Sequence, residues 1–157
     1  MLGMRLSDAI GDLFCKVDSV VDLTPQQWNV KNYMQTPPHV KYISIANTAE
    51  IEQVRTSAGG GAACLVVGVE TKDQYKFDEA ILKGLRVGDF CLIIFDVWHS
   101  GNLLATAYAL AQSGLVVESI SEVERNIFET AVLAKKIATD DSADLLRLKN
   151  EIQLYIV

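Results

Sequence analysis

Phe90-Cys91-Leu92-Ile93-Ile94-Phe95 is an unbroken apolar run, and Asp96-Val97-Trp98-His99-Ser100-Gly101-Asn102 follows it directly. A strand that is apolar on both faces must be covered on both faces, which is how parallel strands layered between helices read. Leu103-Leu104-Ala105-Thr106-Ala107-Tyr108-Ala109-Leu110-Ala111-Gln112-Ser113 then reads as a helix, closed by Gly114, and LVVESI (115–120) as the next strand. A strand, a small-residue loop, a helix and another strand make one unit of an alternating α/β fold.

The same alternation extends in both directions. Upstream, VKYISIA (40–46) and AACLVVGV (62–69) read as strands. Helices through Glu50, Ile51, Val54 and Arg55, and around Phe77, Ala80, Ile81 and Leu85, separate the strands. Gly59-Gly60-Gly61 precedes a strand and lacks the Lys-Ser/Thr of a phosphate loop, so it reads as a helix stop. Downstream, the spacing predicts an amphipathic helix over 122–139, a shorter one over 142–149, and a fifth strand in IQLYIV. At the N-terminus, Leu6, Ile10, Leu13, Phe14, Val17, Val20 and Val21 recur at helical spacing, predicting a helix of about four turns. Thr24-Pro25 predicts a second helix that turns Trp28 inward and ends before Thr36-Pro37-Pro38. The expected fold is a single α/β domain over 1–157. It is a three-layer, Rossmann-like sandwich on a mostly parallel five-stranded sheet (39–157), with a helical N-terminal extension (1–38).

Composition narrows the function classes. Half of the 157 residues are hydrophobic, which is enough to build a core and argues against disorder. A formal net charge of −6 argues against nucleic-acid and anionic-membrane partners, which need clustered Lys and Arg. Cys15, Cys64 and Cys91 form no CxxC pair, and the last two sit in apolar runs; they read as reduced thiols of a cytoplasmic protein. With His39 and His99 the only histidines, no metal site is expected. Asp8 and Asp12 interrupt the N-terminal apolar pattern, so no signal peptide or membrane span is expected.

In an open parallel sheet, ligands bind beyond the carboxyl ends of the strands. Asp96 lies at such an end, with no Lys or Arg between Val87 and Arg125. A carboxylate there can cap the next helix, accept from sugar hydroxyls or help to hold Mg2+. Ser100, Gly101 and Asn102, entering a helix, offer backbone N–H groups and a hydroxyl to a phosphate. Trp98 and His99 lie over the same loop, and His99 is the candidate general base. Asn47 and Thr48 at the tip of the 40–46 strand serve either as helix caps or as ligand contacts. Lys72, after the 62–69 strand, is a candidate phosphate partner.

The stretch from Gly88 to Gly101 resembles the phosphoribosyl pyrophosphate loop of type I phosphoribosyltransferases: a Gly-polar turn, an apolar strand, an acidic tip and a Ser-Gly loop entering a helix. The likeness continues through the helix to residue 120. It implies that Asp96 holds ribose hydroxyls while His99, Ser100, Gly101 and Asn102 cradle a 5′-phosphate. Phe95 stands where that family has a first acidic residue, and Asn47-Thr48-Ala49 lacks the Gly or Arg of its pyrophosphate loop. Ser100-Gly101-Asn102 is also similar to the loop of sugar-phosphate isomerase (SIS) domains. Both likenesses imply a phosphorylated metabolite or nucleotide at 95–103. The expected function is therefore a phosphate-ligand-binding protein and, if an enzyme, a transferase. The alternative is a non-catalytic regulatory or assembly subunit on the same scaffold. The nearly all-apolar helix 103–113 and the terminal IQLYIV predict a homodimer.

Overall fold

The computed structural model describes residues 3–45, 61–69, 82, 84–96, 100–122 and 130–137. Seven strands form one mixed sheet: β1 (Gly3–Arg5), β2 (Ser19–Asp22), β3 (Lys41–Ser44), β4 (Ala63–Val69), β5 (Phe90–Phe95), β6 (Leu115–Glu122) and β7 (Thr130–Lys136). Their spatial order is β1-β6-β7-β5-β4-β2-β3. β7 runs antiparallel to both β5 and β6, and every other pairing is parallel. The described helices are α1 (Leu6–Phe14), a 3-10 turn (Gln26–Trp28), α2 (Val30–Met34) and α3 (Ser100–Gln112).

Side-chain alternation divides the core into two clusters on opposite faces. Cys64, Val66, Leu92 and Ile94 pack with Ile10 and Leu13 of α1 and with Trp28. Leu65, Val67, Cys91 and Ile93 pack with Leu82 and with Leu110 of α3. All six residues of β5 are buried, as its uninterrupted apolar run requires of a strand covered on both faces. Each fully buried Leu or Ile contributes about 1.5–3 kcal/mol, so β5 is the energetic centre of the sheet. α1 turns Asp8, Gly11 and Asp12 outward, and the His39 ring Nε2 donates to the Phe14 carbonyl at 2.9 Å, satisfying one of its C-terminal acceptors. α3 ends at Gly114, whose φ of 80° is the left-handed conformation that stops a helix.

Several expectations are corrected. The sheet has seven strands and is mixed, instead of five and mostly parallel. The first 38 residues are no helical addition, because they supply the outer strand β1 and the inner strand β2. Val17, Val20 and Val21 fit helical spacing after Leu13, yet the helix ends at Phe14 and Ser19–Asp22 are buried in the sheet between β3 and β4. The helix expected at Thr24-Pro25 is only a 3-10 turn with no side-chain cap, although Trp28 is buried as expected. Within the helix expected over 122–139, the described residues are Glu122 at the end of β6 and the strand β7 (Thr130–Lys136) with Ile137. Ala131 and Leu133 face one core cluster while Val132 and Ala134 face the other. A short apolar segment buried on both faces has no period by which strand and helix can be told apart. The expected helices at 50–55 and 142–149 and the strand IQLYIV lie outside the described residues, as does most of the helix around 77–85.

An irregularity between Val117 and Ser119 shifts the β6–β7 register. Leu115 and Val117 face the α3 side, and Ile120, not Ser119, continues that face. The extra residue moves the serine to the opposite face, as a bulge does.

Candidate functional site

The parallel strands β2, β4 and β5 all point toward one edge of the sheet, where Asp22, Val69 and Phe95 lie at their ends. From β2 the chain proceeds outward to β3, whereas from β4 it proceeds the other way to β5. The connections therefore diverge between β2 and β4, and such a switch point is where open α/β sheets place their ligands.

The segment after β2 is built around Asp22, which is only 6% exposed. Its Oδ1 accepts from the Thr24 amide at 2.8 Å and from the Thr24 hydroxyl at 2.5 Å, an Asp-centred turn that redirects the chain. Its Oδ2 accepts a hydrogen bond from the Tyr42 hydroxyl of β3, which ties the tips of the two strands together. Burial, reinforced by the Asp22 carboxylate, pushes the Tyr42 hydroxyl well above its ordinary pKa, so the phenol stays protonated. The chain then passes over β4. Trp28 lies so close to Gly68 that a Cβ there would come within 2.9 Å of the indole, which accounts for glycine inside a central strand. Asn29 takes the left-handed conformation (φ 54°), a turn residue's geometry, and α2 follows with Val30 and Met34 buried.

This arrangement leaves a cavity of about 390 Å³ at the carboxyl tips of β2 and β3, with Asp22, Thr24, Gln26, Lys31, Ser44 and Ile45 in its wall. The Lys31 ammonium lies 5.8 Å from the centroid of the Tyr42 ring. The lining combines two hydroxyls, the two carboxamides of Gln26 and Asn29, one cation and one buried carboxylate with the apolar Pro25, Val30 and Ile45, a set suited to a ligand with hydroxyls and an anionic group. Among the described residues, no group of three His, Cys, Asp or Glu side chains is placed to hold a metal ion. No family model and no curated protein matches this chain.

The sequence-derived site residues divide into two groups. Asp96 is half-buried at the tip of β5, with its amide donating to the Val69 carbonyl at 3.2 Å. Ser100, Gly101 and Asn102 belong to the first turn of α3 itself, not to a loop ahead of it. Both features lie at the same sheet edge as the cavity. β2 and β5 are separated by β4 alone, so their tips stand about 10 Å apart. Trp98, His99, Asn47, Thr48 and Lys72 lie outside the described residues. Asp22, Lys31, Tyr42 and Ser44 escaped sequence reasoning. The available signal was Val20-Val21-Asp22 followed by Thr24-Pro25, the same apolar-run-then-Asp pattern that singles out Asp96.

Cys64 and Cys91 are buried on opposite faces of adjacent strands, and burial raises both thiols, Cys91 to about 12. Neither is a nucleophile near neutral pH. No described helix is long and apolar enough to cross a membrane.

Proposed function

We propose that this protein binds a nucleotide or related phosphorylated metabolite across the carboxyl edge of its sheet. The observation that carries the reading is the polar cavity beside the β2–β4 switch point, formed by Thr24, Gln26, Lys31 and Ser44 around the buried Asp22. From Ser44 on β3 to Asp96 on β5 is three strand spacings, about 14 Å, a span that a nucleotide covers. One end of the ligand would occupy the cavity. The other would reach Asp96 and the amino end of α3, where His99, Ser100, Gly101 and Asn102 are the proposed phosphate contacts; Trp98, Asn47, Thr48 and Lys72 are the further contacts proposed from the sequence. Phosphoribosyl transfer, with Asp96 holding ribose hydroxyls, is the reaction class that the Gly88–Gly101 likeness implies. Mg2+ would enter with the ligand's phosphates.

The test is thermal denaturation of the full chain with ATP, ribose 5-phosphate, and phosphoribosyl pyrophosphate with Mg2+. A ligand at a hundred times its Kd stabilises by about 2.7 kcal/mol, a Tm rise of about 5–10 °C. A rise that is lost in Ser44→Trp, which fills the cavity mouth, supports the reading. No rise with any of the three overturns it and favours a non-catalytic regulatory or assembly subunit. The proposal includes a homodimer through the outward stripe Ala105, Tyr108 and Gln112 of α3. A monomeric mass by light scattering would remove that part.

A further inference from the structure

We infer that Lys31 is the anion-recognition residue of the cavity at the β2–β3 tips, taking a carboxylate or phosphate group at the cavity end of a nucleoside-bearing ligand, apart from any phosphate held at the amino end of α3; the inference deepens the proposed function and rests on it.

The position of Lys31 is set by the core. Its neighbours on α2, Val30 and Met34, are 2% and 4% exposed, so the short helix is pinned to the sheet while Lys31 projects outward. Left-handed residues bracket the helix at both ends, Asn29 (φ 54°) and Gln35 (φ 49°), and neither is a glycine. They are the caps of the helix, and the Gln35 amide donates to the Lys31 carbonyl at 3.2 Å, which fixes the backbone at Lys31. Lys31 lines this cavity and also a more open depression formed with Asn32, Gln35 and Thr36.

Charge then separates two roles. Lys31 and Asp22 are the only charged side chains among the described residues lining the two cavities. Asp22 is turned inward, and its two oxygens accept from the Thr24 amide, the Thr24 hydroxyl and the Tyr42 hydroxyl. Those bonds commit it to holding the turn, so it is a positioning residue. The Tyr42 hydroxyl is held by Asp22, and the Tyr42 ring stands under the Lys31 ammonium at 5.8 Å. A ring face attracts a cation without neutralising it, so the ammonium is restrained at the cavity while keeping its charge for an incoming anion. An exposed lysine is commonly no more than a solvated surface group. This one differs in having an anchored backbone and a ring-restrained head beside a polar cavity.

The test uses the full chain and three probes, adenosine, adenosine 5′-monophosphate and adenosine 5′-carboxylic acid. They are respectively neutral, phosphate-bearing and carboxylate-bearing at the 5′ position. Calorimetry measures affinity, amide NMR shifts of residues 30–34 report the place, and inorganic phosphate is titrated as the anion alone. One or both anionic nucleosides are expected to bind about tenfold more tightly than adenosine, the scale of one charge-assisted hydrogen bond. Which of the two gains identifies the anion. The advantage should vanish in Lys31→Gln and return in Lys31→Arg, with adenosine affinity and Tm unchanged. An advantage that survives in Lys31→Gln overturns the inference. So does adenosine binding to which neither anion adds affinity, although the proposed function then stands. Lys31-dependent shifts with inorganic phosphate, without any gain from adenosine, would support anion recognition and overturn the nucleoside reading. Silence from all four compounds overturns both.

Discussion

Two buried aspartates stand at opposite edges of the sheet, and their surroundings differ in kind. Asp89, 2% exposed, precedes β5 and accepts from the Ala63 amide at 3.0 Å and the Arg86 amide at 2.7 Å. Its own carbonyl accepts from the Lys136 amide at 2.8 Å, so one residue joins the starts of β4 and β5 to the end of β7. Asp22 also has several donors, but two of them are side-chain hydroxyls and it stands in the wall of a cavity. Main-chain donors close a corner of the fold. Side-chain donors beside open space leave a surface on which a ligand can be recognised. A buried aspartate alone therefore marks no function, whereas one beside an unfilled polar cavity marks a candidate site.

The largest expected effect tests the structural half of that contrast. Asp89→Ala strands the buried Ala63 amide and releases the part-buried Arg86 amide, and should cost about 2–4 kcal/mol in urea unfolding, with Asp89→Asn retaining part of the loss. Asp22→Ala should cost about 1–2 kcal/mol, because the donors it releases lie closer to solvent. Equal costs would break the contrast. Next in size is Gly68→Ala, whose new methyl meets the Trp28 indole. A loss of about 1–3 kcal/mol is expected, with a shift in tryptophan emission. Unchanged stability and emission would show that the indole is not packed on β4.

Smaller effects sharpen the comparison through pH. Tyr42→Phe removes one hydrogen bond to Asp22 and should cost about 1 kcal/mol at pH 7. The folded phenol titrates above its ordinary 10.0, chiefly through burial and then through Asp22. Its contribution is therefore present below pH 10 and is lost as pH rises beyond it, so Tyr42→Phe should flatten the alkaline fall in stability. Lys136 has the opposite sign. Burial lowers its ammonium from 10.5, partly offset by the charge of Asp89, while its Nζ donates to the Leu82 carbonyl at 3.2 Å. The unfolded chain then binds the proton more tightly, so stability rises with pH in the interval just below 10.5. Lys136→Met should abolish that rise. Denaturation between pH 8 and 11 measures both, and a Lys136→Met curve parallel to wild type would place the ammonium in solvent.

Much of the α/β reading followed from particular residues. FCLIIF, AACLVVGV and LVVESI became β5, β4 and β6 because continuous apolar runs bounded by glycine or polar residues leave few other solutions. β2 and β7 were misread for the converse reason. Val17, Val20 and Val21 satisfy helical spacing by coincidence, and Thr130–Lys136 has no apolar period once both faces are buried. The cavity was not visible. Asp96 and the small residues starting α3 draw attention locally but do not line it, whereas Asp22, Tyr42 and Lys31 acquire meaning only when β2 and β3 lie side by side.

Local chemistry thus settled the α/β class, the three most apolar strands and an acidic residue at the carboxyl tip of β5. Each of these depends on side chains within a few residues of one another. The order β1-β6-β7-β5-β4-β2-β3, the reversal of β7 and the cavity between the β2 and β3 tips were decided by tertiary structure. Strand pairing is chosen by burial summed over the whole sheet, and a residue's neighbours across strands are invisible to any window along the chain.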